Sequence, residues 1–293
     1  LGDGFPEAQQ EQFFAAAQAK LTLLVNNESF AAVKDLLNGV AIFTASNESG
    51  TDVVADGITR DTYYDTGFAG SVVARLLTVA TTAGRTRATN ILREHAPDYD
   101  ISIMLVNTTT YGGAGGTLAV ASLHTSSDEV LLHELGHSFA KLADEYVDAI
   151  AAPSYPPAES ANATQKTARA EIAWTDFIPD STPLPTPIPV PSTNTDANVV
   201  GLWEGAHYRA TGFYRPIYDS KMRSLGRPFG PVSLRAYAVA LHRLNLNGAT
   251  TAPARLALAA PTTSAPAAGR LSFVATAEGA GPFTYQWIRN GKF

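Results

Sequence analysis

The sequence predicts an α/β (α+β) domain built on a mixed sheet, followed by the first strands of a β-sandwich. Helix-like and strand-like stretches alternate over the first half of the chain, and 45% of its 293 residues are hydrophobic. That share is enough to bury one large core and a smaller second one. We expect a first domain over 1–248 with a proline-rich surface excursion at 151–200, and a linker with a truncated β module over 249–293.

The elements of the first domain follow from periodicity and turn residues. Apolar residues recur at steps of three and four over 6–25, which is the spacing of a helix with one buried face. The same reasoning predicts two further helices, at 68–80 and 86–95, and three strands, at 39–43, 101–106 and 117–123. After a glycine-rich loop at 111–116, Ser126 and Glu129 stand at capping-box spacing and predict that another helix begins there.

Composition excludes several classes of function. The formal charge is −6 and no Lys/Arg cluster is dense enough to follow a phosphate backbone, so nucleic acid is not an expected partner. No apolar run approaches the ~20 residues of a membrane-spanning helix. The chain has no cysteine, so a metal would have to be held by His and carboxylates. The low charge and the Ala/Thr/Ser/Gly/Pro-rich texture are typical of a bacterial protein that is secreted or lies at the cell surface.

The motif His-Glu-Leu-Gly-His at 133–137 lies on this last predicted helix and is an H-E-x-x-H pattern. Imidazoles at i and i+4 lie one turn apart on one helix face, so His133 and His137 can reach the same Zn²⁺. Glu134 is placed to accept a proton from an attacking water. A catalytic zinc needs a third ligand, and on a continuing helix Asp144 would lie about 10 Å further along the axis. The chain must therefore turn back after His137 if Asp144 is that ligand.

Short motifs in a fixed order surround this helix. His-Glu-Leu-Gly-His-Ser-Phe is followed by Leu-Ala-Asp-Glu-Tyr, Gly-Asp-Gly-Phe stands at 2–5, and Ser-Lys-Met-Arg stands at 220–223. Over 1 to about 245 the chain resembles the IgA-peptidase family of metzincin-like zinc metallopeptidases. The resemblance implies a metzincin-like fold with an active-site helix and one catalytic Zn²⁺. The implied site residues are the zinc ligands His133, His137 and Asp144, the general base Glu134, and Met222 in a Met-turn beneath the ligands.

These observations predict a secreted zinc-dependent endopeptidase that acts on a protein or peptide substrate, with Glu134 assisting the attack of water. A non-catalytic surface or adhesion protein with a relic zinc module, and a zinc hydrolase of non-protein amides, are the alternatives. The strand at 117–123 is expected to form the upper rim of the cleft, where an extended peptide adds as a further strand. The predicted substrate-binding residues are Gly115, Gly116, Thr117, Leu118 and Ala119.

Two details depart from the family pattern. Ala140 and Lys141 stand where a glycine usually ends the helix, and a non-glycine residue in a left-handed turn costs about 1 kcal/mol. No tyrosine stands two positions after Met222, so Tyr111 and Tyr218 are the candidates for stabilising the oxyanion.

The remaining candidates concern calcium and the C-terminal segment. Four carboxylates crowd one loop, but their spacing matches no calcium-binding loop, so a solvated acidic loop is preferred to a structural Ca²⁺. They belong to Asp52, Asp56, Asp61 and Asp65. Strand-like alternation at 270–277 and 282–288, with Tyr-Gln-Trp at 285–287, resembles the start of a bacterial immunoglobulin-like module.

Overall fold

The computed structural model describes residues 1–69, 74–149, 159–188, 199–244, 255–258 and 275–278. The chain divides into two compact units, Leu1–Ala238 and Val239–Phe293. The boundary predicted at 248 lies outside the described residues and stays a prediction. Within the described part of the chain, no helix combines the length and apolarity needed to cross a bilayer.

Four α-helices are described, together with several short 3-10 turns. They are α1 (Gln10–Asn26), α2 (Thr82–His95), α3 (Ser127–Ser138) and α4 (Pro231–Leu244). The strands of the first unit are β1 (Gly2–Asp3), β2 (Asp52–Val53), β3 (Thr66–Phe68), β4 (Leu77–Val79), β5 (Ile103–Val106), β6 (Gly113–Ala114), β7 (Ala119–Ser122), β8 (Trp203–Ala206) and β9 (Arg209–Arg215). Those of the second unit are β10 (Arg255–Leu258) and β11 (Ala275–Glu278).

The main sheet has four strands in the order β1-β5-β7-β6. The first three are parallel, with Met104 opposite Val120, and β6 runs antiparallel to β7, so the predicted mixed sheet is confirmed. Every residue of β7 is buried, and α3 packs against β7 and β6. This packing fixes the histidine-bearing helix on the sheet.

The opening Gly-Asp-Gly motif joins this sheet to a smaller one of order β2-β3-β4. Asp3 is fully buried, and its carboxylate accepts hydrogen bonds from the Thr62 hydroxyl (2.9 Å) and the backbone amides of Tyr64 (2.8 Å) and Thr66 (3.0 Å). A buried carboxylate needs such donors, and they come from the chain that leads into β3. Gly4 has φ +71, and a Cβ there would lie 1.9 Å from the Gly50 carbonyl oxygen. The motif is therefore a structural junction.

Two elements predicted from periodicity are wrong. The described residues of the helix predicted at 68–80 are not helical: β3 ends at Phe68, and β4 pairs antiparallel with it from Leu77. Short apolar runs fit either period, and here the pairing with a neighbouring strand decides. Residues 39–43 form no strand, and Phe43 instead packs its ring against Phe13, with centroids 5.8 Å apart. The helix predicted at 86–95 is confirmed but begins earlier, with the Thr81 hydroxyl accepting from the Gly84 amide.

Part of the segment at 159–188 is buried, although its prolines predict a surface excursion. Trp174 is fully buried and donates its indole N–H to the Gly201 carbonyl at 2.9 Å. This side chain belongs to a core cluster that includes Ile172, Ile178, Leu202, Ile217 and Val232. Apolar burial thus ties the described part of the proline-rich region to β8, β9 and α4, and its other residues, 151–158 and 189–198, lie outside the description.

The second unit contains one described pair of antiparallel strands, β10 and β11, with Arg255 opposite Glu278. The first of these strands lies in the stretch predicted as linker. The second covers the end of the strand predicted at 270–277. The strand predicted at 282–288 and Trp287 lie outside the described residues, so the immunoglobulin-like module stays a prediction.

Candidate metal centre

The helix α3 is fixed at its first turn by contacts that differ from the predicted capping box. The Ser126 side chain makes no capping hydrogen bond, and the Ser126 amide instead donates to the His124 Nδ1 at 3.0 Å. Glu129 accepts from the Lys221 ammonium and from the Gly226 amide (2.8 Å). The carboxylate therefore connects α3 to the 220–226 turn. The predicted start of the helix at Ser126 is confirmed, whereas the capping-box hydrogen bonds are not formed.

Three ligand-type side chains converge on one point at the end of α3. The His133 Nε2 and the His137 Nε2 lie 3.2 Å apart, and the Asp144 Oδ1 lies 3.1 Å and 3.2 Å from them. His133 and Asp144 are buried, and His137 is half-buried. Within the described ranges this is the one group of His and carboxylate side chains with the spacing of a metal site.

The hydrogen bonds behind the imidazoles show which nitrogens face the centre. The His133 Nδ1 lies 3.0 Å from the Lys221 carbonyl oxygen, and the His137 Nδ1 lies 2.8 Å from that of Leu142. A carbonyl only accepts, so both Nδ1 atoms carry a proton and, in the neutral rings, both Nε2 lone pairs point at Asp144. The Asp144 Oδ1 is buried and receives no hydrogen bond. Three atoms with lone pairs this close together repel one another unless positive charge lies between them. Two imidazole nitrogens and one carboxylate oxygen are ligands that a metal ion fits.

In the metal-free chain, the pKa values of His137 and Asp144 are both shifted so as to favour a positive imidazolium beside a negative carboxylate. Burial opposes protonation of His137, but the facing Asp144 carboxylate, which accepts a hydrogen bond once the ring is protonated, outweighs burial and raises the pKa of His137 to about 9. Burial also disfavours the charged form of Asp144, yet the two histidines hold its pKa well below the usual range.

The chain reverses after α3, as it must for Asp144 to reach the histidines. The helix ends at Ser138, and Lys141 takes the left-handed conformation with φ 56. The Leu142 amide then returns to the Gly136 carbonyl at 2.9 Å. The Lys141 ammonium donates to the Ser138 carbonyl at 2.6 Å, a contact that offsets part of the roughly 1 kcal/mol that the left-handed conformation costs.

Tyr208 orients the carboxylate of Asp144, and no motif in the sequence indicated it. Its hydroxyl donates to the Asp144 Oδ2, which leaves the Oδ1 facing the histidines. The amide of His207 also donates to the Asp144 carbonyl at 2.9 Å. Tyr208 is 64 residues from Asp144, so only the fold brings the two together.

We expect Tyr208→Phe to weaken metal binding by about 10–100-fold, because partners that orient a ligand contribute on this scale. The phenylalanine keeps the ring packing on Tyr146 (5.2 Å between centroids) while removing the hydrogen bond. Competition with a chromophoric chelator measures the change, and Tyr99→Phe at an exposed position is the control. An unchanged affinity in Tyr208→Phe would exclude this orienting role.

Met222 lies directly against α3 at Gly136, the residue before His137. It is fully buried, and a Cβ added at Gly136 would lie 2.6 Å from its sulfur. Its carbonyl accepts from the Glu145 amide at 2.8 Å, which ties the turn to the residue after Asp144. The close approach requires glycine at position 136.

Glu145 is a structural neighbour of the metal-site cluster and points away from it. It is fully buried and accepts from the Ser220 hydroxyl (2.6 Å) and the Asn162 amide nitrogen (2.8 Å). Burial raises its pKa to about 7 despite these hydrogen bonds. The two adjacent carboxylates therefore have separate partners, and only that of Asp144 meets the histidines.

A cleft of about 210 Å³ opens beside this cluster. Its walls are His133, Glu134, Arg75, Tyr111, Tyr146, Val130, Lys221, Arg223 and Leu225. The cleft therefore exposes a histidine and the neighbouring carboxylate to a ligand. Arg75 and Tyr146 did not emerge from sequence reasoning.

The sequence profile of the family described as IgA Peptidase M64 matches residues 1–195 of the 293. The chain belongs to the IgA peptidase M64 family. It is therefore a metallopeptidase, a hydrolase of peptide bonds, and its substrate is a peptide or protein. No curated protein matches the chain.

In this M64 peptidase, one of the two tyrosines proposed for the oxyanion is in the cleft. Tyr111 lines it. Tyr218 is not among the lining residues of this cleft, and the guanidinium groups of Arg215 and Arg223 lie over its ring at 5.6 and 5.0 Å. The oxyanion role of either tyrosine stays a prediction.

The predicted substrate strand of the peptidase has no free edge. Residues 119–122 form β7, which pairs with β5 on one side and β6 on the other, so a peptide cannot add to it. Ala119 is buried and Leu118 packs partly against the core. Gly115 differs, because a Cβ there would lie 2.7 Å from the Glu134 Oε2. Gly116 and Thr117 are exposed beside it.

Three of the four carboxylates in the acidic loop have partners within the chain. Asp52 accepts from the Arg60 amide at 2.6 Å, and Asp61 accepts from the Asn47 side chain at 2.8 Å. Asp65 pairs with Arg87 at 2.8 Å. These separate partners give no support to a structural Ca²⁺.

Proposed function

We propose that this M64 peptidase is a secreted zinc-dependent endopeptidase in which His133, His137 and Asp144 hold Zn²⁺. The observation that carries the proposal is the convergence of their three acceptor atoms at 3.1–3.2 Å beside an open cleft. Two imidazole nitrogens and one carboxylate oxygen suit zinc, whose catalytic sites take three protein ligands and leave the fourth position open. Met222, packed beneath α3, serves as the Met-turn.

Zinc in this position would supply the Lewis acidity that polarises the scissile carbonyl and activates water. Glu134 is the general base, since it follows His133 directly on α3 and its carboxylate lines the same cleft. It accepts the proton of the attacking water and later delivers that proton to the leaving amine. Gly115 keeps the space beside this carboxylate open, because any side chain there would displace it.

The peptide backbone is proposed to lie along 115–117, beyond the edge strand β6. On this edge, the Gly113 amide already donates to the Arg75 carbonyl at 3.2 Å. The backbone groups proposed to bind the peptide are therefore those that follow Gly113 in the chain. The exposed residues there adjoin Glu134, which supports a binding role for Gly115, Gly116 and Thr117. The proposal leaves out Ala119, which is buried, and Leu118, which is half-buried against the core.

Secretion or cell-surface location is proposed from composition alone. The chain has no cysteine and only 16% charged residues. Immunodetection of the protein in the culture medium rather than in the cell lysate supports this location, and detection confined to the lysate contradicts it.

Metal removal tests the proposed function. We expect the purified peptidase to contain about one zinc per chain, to lose cleavage of a denatured protein after dialysis against dipicolinate, and to regain it with stoichiometric Zn²⁺. Elemental analysis and the digestion rate measure the two effects, and Mg²⁺ or Ca²⁺ is the control for nonspecific ion effects. Full activity in the metal-depleted protein would refute the proposal.

A further inference from the structure

Arg75 and Tyr146 face the cleft together and are joined by a hydrogen bond. An Arg75 guanidinium N–H donates to the Tyr146 hydroxyl oxygen at 3.2 Å. Both line the cleft with His133 and Glu134. Neither is used by the proposed roles of the metal ligands and the general base.

Their backbones hold these two side chains at fixed places around the cleft. The Arg75 carbonyl accepts from the Gly113 amide, and the next residue bridges to Gly113 in parallel, which fastens this segment to β6. Tyr146 follows Asp144 by two residues, and its carbonyl accepts from the Tyr208 amide at 3.1 Å. The backbone of Tyr146 is therefore bound to Tyr208, the residue whose hydroxyl holds the Asp144 carboxylate.

The Tyr146 hydroxyl has a neutral neighbour to which its proton can go. Arg75 offers only donors, so it cannot accept that proton. Tyr208 gives its own proton to the Asp144 Oδ2, and its oxygen, which interacts with the Tyr146 hydroxyl, remains able to accept from it. A negatively charged oxygen is a stronger acceptor than a neutral phenol, so the Tyr146 proton turns to negative charge that forms in the cleft.

Arg75 also differs from the other cations of the cleft. Lys221 pairs with Glu129, and Arg223 lies 3.6 Å from Asp219. Among the residues that the structure describes, no carboxylate lies within ion-pair distance of Arg75, which is exposed. Its charge is therefore available to negative charge that develops in the cleft.

We propose that Tyr146 donates a hydrogen bond to the oxyanion formed from the scissile carbonyl, and that Arg75 positions this hydroxyl and adds positive charge. The inference rests on the proposed function, since it is Glu134-assisted attack that creates the negative oxygen. Water oxygen bonds to the carbonyl carbon, the π pair moves to the carbonyl oxygen, and Glu134 takes the water proton. When the C–N bond breaks, that proton goes to the amine and the carbonyl re-forms. Donors placed in advance for such an oxygen contribute about 10²–10³ in kcat.

The test compares Tyr146→Phe with Tyr111→Phe, the other phenol on the cleft wall. For Tyr146→Phe we expect kcat to fall by about 10²–10³ with KM within about threefold and zinc content unchanged. Its affinity for a phosphinic peptide, whose tetrahedral phosphorus carries an anionic oxygen, should fall by a similar factor in calorimetry. Binding of uncleaved substrate, measured with Glu134→Gln as the parent, should be the same with and without Tyr146→Phe. The reverse pattern, with the losses in Tyr111→Phe, would overturn the assignment.

Substitutions of Arg75 test its positioning role. Arg75→Met should lower kcat less than Tyr146→Phe does, Arg75→Lys should restore part of the loss, and the effects of Arg75→Met and Tyr146→Phe should be non-additive. A rise in KM confined to peptides with acidic residues would instead assign Arg75 to a substrate carboxylate and overturn the proposal. If the roles of Arg75 and Tyr146 are wrong, the parent protein still cleaves peptides with zinc. If the proposed function is wrong, the parent protein shows no zinc-dependent cleavage.

Discussion

Glu134→Gln should lower the rate of peptide hydrolysis by about 10²–10⁴-fold while leaving the metal content and the fold unchanged. The amide has the shape of the carboxylate but cannot take a proton from water. Glu134 is nearly buried, at 8% exposure, and lies against Gly115, so the isosteric side chain fits the same space. Initial rates on a denatured protein, elemental analysis and thermal unfolding measure the three properties.

The matched control is Glu94→Gln, which makes the same charge change on α2 at a side chain that is 70% exposed. This variant should cleave at the parent rate. If Glu134→Gln also keeps the parent rate, Glu134 is not the general base, whatever its place in the motif.

Asp144→Ala should abolish stoichiometric metal binding and, with it, peptide hydrolysis. The substitution removes one of three converging ligand atoms, so its effect should exceed the about 10–100-fold expected for Tyr208→Phe. It also removes the carboxylate that accepts the Tyr208 hydroxyl. Elemental analysis after gel filtration in metal-free buffer measures the loss.

Glu145→Gln provides the comparison at the neighbouring carboxylate. Because Glu145 is bound to Ser220 and Asn162 and does not meet the histidines, this variant should keep its metal even if its melting temperature falls. Stoichiometric zinc in Asp144→Ala would exclude Asp144 as a ligand, and loss of zinc in Glu145→Gln alone would make Glu145 the third ligand.

Chemistry that depends on local spacing was predictable from the sequence. His133 and His137 face the same way because residues four apart lie on one face of a helix, and Glu134 is carried on the same turn. The helix at 86–95 and the strand around 103–106 follow from patterns within a few residues. The short runs at 39–43 and 68–80 were misassigned because strand formation depends on partners outside the window.

The tertiary structure decided what depends on distant residues. The turn at Lys141 brings Asp144 to the histidines, Tyr208 arrives from the β8–β9 hairpin to orient it, and the pairing of residues 75–76 with β6 carries Arg75 to the cleft. Burial of Trp174 likewise made part of a proline-rich segment into core. The sequence alone determined a helix that presents two imidazoles and a carboxylate. Its completion into a three-ligand centre beside a charged cleft required long-range packing, which no local periodicity encodes.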